Sequence, residues 1–74
     1  MQAKEAFRYV LDHSSKSQRQ VSRELNRVDT FISSMLANER VPGLQAMANI
    51  ASVCGFDLVL VNRSTGETIP IDKA

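Results

Sequence analysis

The sequence predicts a small, mainly helical domain that ends in a β-hairpin. Apolar residues recur at helical spacing through residues 1–55, residues with capping and turn chemistry separate these segments, and after Gly55 the pattern becomes that of a strand. The 74 residues have the length of one domain, whose core is marginal alone. We therefore expect a helical unit over residues 1–55 and a C-terminal β-hairpin over residues 56–74.

The first predicted helix runs from about Ala3 to Leu11. Phe7, Val10 and Leu11 lie at the i, i+3, i+4 positions that form one face of a helix. A short polar connector follows, and Ser17 and Gln20 then have the capping-box spacing that begins a second helix.

The second helix is short and ends in a sharp turn. Val21 and Leu25 recur at i, i+4 and give it one apolar edge. Asn26 follows, and asparagine tolerates the left-handed conformation that a tight turn needs. A third helix fits from about Asp29 to Ala37, with Ile32, Met35 and Leu36 facing inward and Asn38 placed to stop it. Two helices joined in this way form a helix-turn-helix, whose second helix can enter the DNA major groove.

A linker over residues 39–43 leads into a fourth helix, expected from about Leu44 to Cys54 and closed by Gly55. The apolar, β-branched segment from Phe56 to Val61 then predicts a strand. Residues 63–66 are a turn signal, and Thr68–Ile71 is the candidate return strand. Pro70 has no backbone donor, so that strand is expected at an edge.

The order of these residues resembles the phage repressor and Cro family, which is the lambda-repressor-like or XRE type of helix-turn-helix protein. The resemblance needs no gap from Ser17 to Gly55 and is carried by Val21-Ser22, Asn26, Ile32-Ser33, Asn38, Arg40, Pro42, Leu44, Met47, Ile50, Ala51 and Cys54-Gly55. Arg27, Val28 and Leu36 depart from the family pattern, which more often has Val, a capping Ser and Glu there. The resemblance implies a bundle of about four helices that acts as a DNA-binding transcriptional regulator, with a repressor the expected role.

Short polar side chains mark the exposed face of the third helix, where base edges would lie close to the backbone. Candidate base contacts are Asp29, Thr30, Ser33 and Ser34, and the resemblance places base contacts at the same positions. Asp29 has two possible roles: its carboxylate can accept a hydrogen bond from cytosine N4, or it can cap the helix.

Candidate phosphate contacts flank that face. Arg27 in the turn and Arg40 in the linker follow from position, Arg19 lies on the face of the second helix opposite Val21, and the resemblance adds Gln18 and Asn38. Such contacts would position the protein without specifying sequence.

The C-terminal hairpin is the expected dimer interface, because an isolated two-stranded hairpin is not stable in water and an apolar edge invites pairing. Phe56, Leu58 and Leu60 are expected to cover the helices, while Val59 and Val61 need another cover. The full set of candidate interface residues is Phe56, Leu58, Val59, Leu60, Val61, Ile69 and Ile71. A two-fold dimer would read an inverted repeat in double-stranded DNA.

Composition argues against several other classes of protein. Net charge is +1, with seven Lys/Arg and five Asp/Glu in residues 1–45, so the slight basic bias lies on the helix-turn-helix half. No nucleophile motif, phosphate loop or metal-ligand spacing is visible, and we expect no enzyme activity, metal or cofactor. No apolar run reaches membrane-spanning length and no signal core is visible, so we expect a cytoplasmic protein without membrane contact.

Two alternatives to a plain regulator stay open. The chain also resembles antitoxins whose last helix runs into a strand, and such a protein would bind a toxin as well as DNA. A protein-interaction module that keeps the fold without binding DNA would suit the near-neutral charge.

Overall fold

The helices form where the apolar periodicity places them. The computed structural model describes all of residues 1–74 and contains α1 (Ala3–Asp12), α2 (Gln18–Glu24), α3 (Phe31–Ala37), α4 (Leu44–Val53), β1 (Leu58–Val61) and β2 (Thr68–Ile71). Four helices and a two-stranded antiparallel sheet make a small domain in which helix dominates. This agrees with the predicted helical bundle plus hairpin.

One apolar cluster joins all four helices. Its fully buried side chains include Phe7 of α1, Val21 of α2, Ile32 of α3 and Ile50 of α4. Burying an aliphatic or aromatic side chain of this size contributes roughly 1.5–3 kcal/mol. Cys54, at the end of α4, is buried in the same cluster.

Local hydrogen bonds set the ends of the helices. The Ser17 hydroxyl accepts from the Gln20 backbone N–H at 3.1 Å, which is the predicted cap of α2. Asn26 has φ 59° and makes the left-handed turn after α2, as expected. Gly55 has φ 85° and ends α4, although the helix itself stops at Val53, one residue earlier than predicted.

The end of α3 differs in one detail from the prediction. Asn38 caps the helix with φ −94°, and the left-handed residue is Glu39, with φ 53°. The N–H of Arg40 then bonds to the Met35 carbonyl at 2.9 Å. This bond spans six residues and closes the last turn in the manner of a Schellman motif.

The hairpin is attached to the helices at one end. Leu58 pairs with Ile71, Val59 with Pro70, Leu60 with Ile69 and Val61 with Thr68. Only the first of these pairs is half-buried, and every residue of β1 and β2 beyond it is exposed. The predicted return strand is confirmed, while β1 begins at Leu58 instead of Phe56.

A lysine in the connector between α1 and α2 contacts two other helices. Lys16 Nζ donates to the Val53 carbonyl at 2.9 Å and to Glu24 Oε1 at 2.7 Å, which ties the connector to the ends of α2 and α4.

None of the helices is long and apolar enough to cross a membrane.

Candidate nucleic-acid interface

A buried serine joins α2 to the start of α3. Ser22 is fully buried, and its hydroxyl donates to the Gln18 carbonyl at 2.8 Å. The same oxygen accepts from the backbone N–H of Ile32 at 3.1 Å. Ile32 is the second residue of α3, so its N–H has no partner within the helix. Ser22 therefore satisfies a helix-terminal donor from a neighbouring helix and fixes where α3 begins.

The turn between the two helices is closed by backbone bonds. Asn26 N–H bonds to the Arg23 carbonyl at 2.9 Å, and Arg27 N–H bonds to the Ser22 carbonyl at 3.0 Å. The guanidinium of Arg27 lies over the Phe31 ring, 5.1 Å from its centroid. This cation–π contact holds Arg27 beside the first turn of α3 while leaving its charge without an acidic partner.

The polar side chains of α3 lie on its exposed face, as the helical spacing requires. Thr30, Ser33 and Ser34 are all exposed, whereas Ile32 is buried and Met35 is half-buried. Ser33 Oγ donates to the Thr30 carbonyl at 3.1 Å. The three hydroxyls form one short polar surface that no other element covers.

Asp29 does not cap α3, so the capping prediction is wrong. The helix begins at Phe31 with Thr30 as its N-terminal flanking residue, two residues later than expected, and the Thr30 side chain makes no capping hydrogen bond. Residues 28–31 instead form a turn in which Phe31 N–H bonds to the Val28 carbonyl at 3.0 Å. The carboxylate of Asp29 is drawn away to Arg23, whose Nε and Nη2 donate to its two oxygens at 2.8 and 2.9 Å.

The Asp29 carboxylate is thus ion-paired with two arginines of α2. Arg19 lies 3.7 Å from it in addition to the two-pronged contact of Arg23. Hydrogen bonding to the Arg23 guanidinium holds the pKa of the Asp29 carboxyl below its usual range, and the same pair raises the pKa of Arg23. Asp29 stays ionised at neutral pH, but both of its oxygens already have donors.

The predicted phosphate-binding residues differ in what else they contact. Gln18 is the first residue of α2 and is exposed, and Arg40 is exposed with no acidic partner. Asn38 already makes hydrogen bonds within its own helix: its backbone N–H and its Nδ2 both donate to the Ser34 carbonyl, at 3.0 and 2.8 Å. Nδ2 also lies 3.4 Å from Ser34 Oγ, so a phosphate contact by this side chain would have to replace these bonds.

Ion pairing in this region leaves two arginines without acidic partners. Each acidic residue between positions 18 and 40 has a basic partner: Glu24 pairs with Lys16, Asp29 with Arg23 and Arg19, and Glu39 with Lys4. Arg27 and Arg40 take part in none of these pairs. The two unpaired arginines therefore lie just before and just after α3.

Two contributors to this region were not predicted from the sequence. Ser22 is among the residues that carry the family resemblance, but the sequence does not reveal its role, because its hydrogen bond to Ile32 crosses between helices. The Arg23–Asp29 pair joins residues six apart, which is not a spacing at which side chains meet on one helix.

The hairpin residues predicted for a dimer interface divide into two groups. Phe56, Leu58 and Ile71 are half-buried, and the first two pack against the helical core. The expectation that Leu60 covers the helices is wrong, because the strand runs past the helical core and leaves Leu60 54% exposed. Val59, Val61 and Ile69 are similarly open, at 42%, 58% and 48%.

No protein-family model, curated protein or solved structure matches this chain.

Proposed function

We propose that this chain is a sequence-specific DNA-binding transcriptional regulator, of the lambda-repressor-like helix-turn-helix type, that acts as a repressor. The observation that carries the proposal is the exposed hydroxyl face of α3, together with Arg27 before the helix and Arg40 after it, neither of which has an acidic partner. Phosphates attract such cations, and short hydroxyl side chains can approach base edges. The resemblance of residues 17–55 to the phage repressor and Cro family supports the same function.

In this proposal the residues have separate tasks. Thr30, Ser33 and Ser34 read base edges, while Arg27 and Arg40 contact phosphates and set the position of α3 in the groove. Gln18, Arg19 and Asn38 are secondary phosphate contacts. Asp29 orients Arg23 and Arg19, and it reads cytosine only if these arginines turn outward to the phosphates.

We propose that the DNA-binding form of the protein is a homodimer. Two copies related by a two-fold axis would present two α3 helices to successive major grooves, about 34 Å apart, and so read an inverted repeat. The exposed apolar residues of the hairpin are the surface through which we propose that the copies associate.

Selection of binding sites from a random-sequence duplex library tests the reading face. The double variant Thr30→Ala/Ser34→Ala should relax discrimination at the bases it contacts, by up to ~1–3 kcal/mol for a good contact. Ser52→Ala, an exposed serine on α4, is the matched control and should select the same motif as the unmodified chain. An unchanged motif for the double variant would move the reading face away from α3.

Affinity measurements test the flanking cations. Arg40→Ala should weaken specific and non-specific binding alike and reduce the salt slope by about one. Arg8→Ala removes an exposed and unpaired arginine from α1 and serves as the control for net charge alone. Equal losses for the two variants would mean that Arg40 contributes only charge and no placed phosphate contact.

An antitoxin is the second candidate function. The feature that favours it is the uncharged apolar surface of β1, which lies outside the helix-turn-helix and could bind a toxin protein. The identity of the adjacent gene, followed by co-purification of its product with this chain, distinguishes the two. A stable complex that still binds DNA would support the antitoxin.

A further inference from the structure

The two free edges of the hairpin are chemically different. Asn62 N–H donates to the Glu67 carbonyl at 2.8 Å, so residues 62 and 67 form a hydrogen-bonded pair. Hydrogen-bonded and non-hydrogen-bonded pairs alternate along an antiparallel ladder. Leu60–Ile69 and Leu58–Ile71 are therefore hydrogen-bonded pairs, and Val61–Thr68 and Val59–Pro70 are not.

The position of proline agrees with this alternation, because Pro70 has no N–H to give to β1. The backbone groups of a non-hydrogen-bonded pair point away from each other, toward the two outer edges of the sheet. On the β2 edge these groups belong to Thr68 and Pro70, and the proline leaves a donor missing. On the β1 edge they belong to Val59 and Val61, and both donors and both acceptors are present.

The β1 edge is also open. The sheet has only two strands, and no hydrogen bond outside the helices and the hairpin uses a backbone group of Val59 or Val61. The edge carries no lysine, proline or inward-pointing charge of the kind that protects an exposed strand.

We propose that β1 pairs antiparallel with β1 of a second copy, about a two-fold axis that passes beside Leu60. This inference rests on the homodimer proposed above and is independent of DNA binding. In this register Val59 faces the partner's Val61, and these residues exchange backbone hydrogen bonds. By symmetry the two copies would form four such bonds and a continuous four-stranded sheet.

Charge complementarity selects this register. With the axis at Leu60, Asp57 faces the partner's Arg63 at both ends of the paired strands. Both side chains are exposed, and neither forms an ion pair within its own chain. Moving the axis to Val59 or Val61 keeps the outward backbone groups paired but places a charged residue opposite a valine. Of these three axes, only the one at Leu60 both pairs the outward backbone groups and brings opposite charges together.

The same arrangement accounts for the exposed leucine on the helical side of the sheet. Leu60 lies on the face that carries Leu58 and, across the hairpin, Ile69 and Ile71. Leu58 packs against the helical core and Ile71 opposite it is half-buried, whereas Leu60 and Ile69 are exposed. On the two-fold axis, Leu60 would contact the partner's Leu60 in a non-hydrogen-bonded pair, where opposite side chains approach most closely.

A pair of proline variants tests which edge is used. Val61→Pro removes an outward N–H from β1, and Thr68→Pro removes the outward N–H of the residue directly opposite on β2. Neither substitution takes a hydrogen bond from the hairpin itself. By sedimentation equilibrium without DNA, we expect Val61→Pro to weaken dimerisation at least ~10-fold, because two of the four interchain bonds are lost by symmetry. Thr68→Pro should dimerise like the unmodified chain, and circular dichroism checks that both variants remain folded.

A charge-reversal cycle tests the register. Asp57→Arg alone and Arg63→Asp alone each bring like charges together at both ends and should weaken the dimer, whereas the double variant should restore it. A chain that is monomeric at tens of micromolar would overturn the homodimer and this inference with it. A dimer that tolerates Val61→Pro would overturn the β1 edge while leaving the homodimer in place. A double variant no tighter than the single ones would overturn the Leu60 register.

Discussion

Replacing Ser22 by alanine removes the hydroxyl that connects α2 to α3. The Gln18 carbonyl loses only a second donor, because a carbonyl within a helix also accepts from the backbone four residues later. The Ile32 N–H loses its sole partner in a fully buried position. A buried donor left without a partner costs roughly 1–3 kcal/mol. The total stability expected for 74 residues is about 4–11 kcal/mol, so one hydroxyl accounts for a sizeable part of it.

Urea denaturation followed by circular dichroism measures this loss. Ser22→Ala should lower the free energy of unfolding by about 1–3 kcal/mol and the melting temperature by about 4–8 °C for each kcal/mol. Ser52→Ala is the control, since that serine is exposed on α4 and alanine is the better helix former. A Ser22→Ala variant within about 0.5 kcal/mol of the Ser52→Ala variant would refute the role given to the Ser22–Ile32 bond.

Three further predictions follow from the turn, the ion pair and the cysteine. Asn26→Ala should destabilise the chain by about 1–2 kcal/mol in urea denaturation, because Asn26 is left-handed, whereas Asn26→Gly should be nearly neutral. The pKa of the Asp29 carboxyl is lower in the folded than in the unfolded chain. The ionised carboxylate therefore stabilises the fold above about pH 4, and this stabilisation is lost as the pH falls through the pKa of the folded state. Asp29→Asn should remove this dependence and so flatten the acid side of a curve of unfolding free energy against pH. Burial raises the pKa of the Cys54 thiol, so at pH 8 iodoacetamide should label the folded chain much more slowly than the urea-unfolded chain, as mass spectrometry can measure.

The sequence was sufficient to predict the elements whose signals are local. The Ser17 cap, the left-handed Asn26 and the change to strand pattern after Gly55 each depend on residues close in the chain, and all three are present in the structure. The hydroxyl face of α3 was predictable for the same reason, since helical spacing alone separates Ser33 and Ser34 from Ile32.

The start of α3 could not be predicted because non-local contacts decide it. Asp29 has good capping chemistry, but Arg23 offers two charge-assisted hydrogen bonds to its carboxylate. Ser22 then supplies the acceptor that the first turn of α3 would otherwise lack. Both contacts depend on how α2 packs against α3, and no spacing rule along the chain reveals them.

The exposure of Leu60 has a similar origin. Alternation predicts correctly that Leu58 and Leu60 share a face, but it carries no information on how far the helices extend beneath that face. Only Leu58 lies over the core. The difference leaves an apolar residue on the strand whose edge we propose as the dimer interface.

The most direct test of the central claim is the salt dependence of duplex DNA binding. We predict that the folded chain binds its selected duplex in fluorescence anisotropy titrations at low salt. The logarithm of the binding constant should fall linearly with the logarithm of salt concentration, by about 0.9 for each phosphate contacted. Arg27 and Arg40 on both copies of a dimer would give at least four such contacts and a slope of about −3.6. Undetectable binding by the folded chain at low salt, to selected and random duplexes alike, would contradict the account.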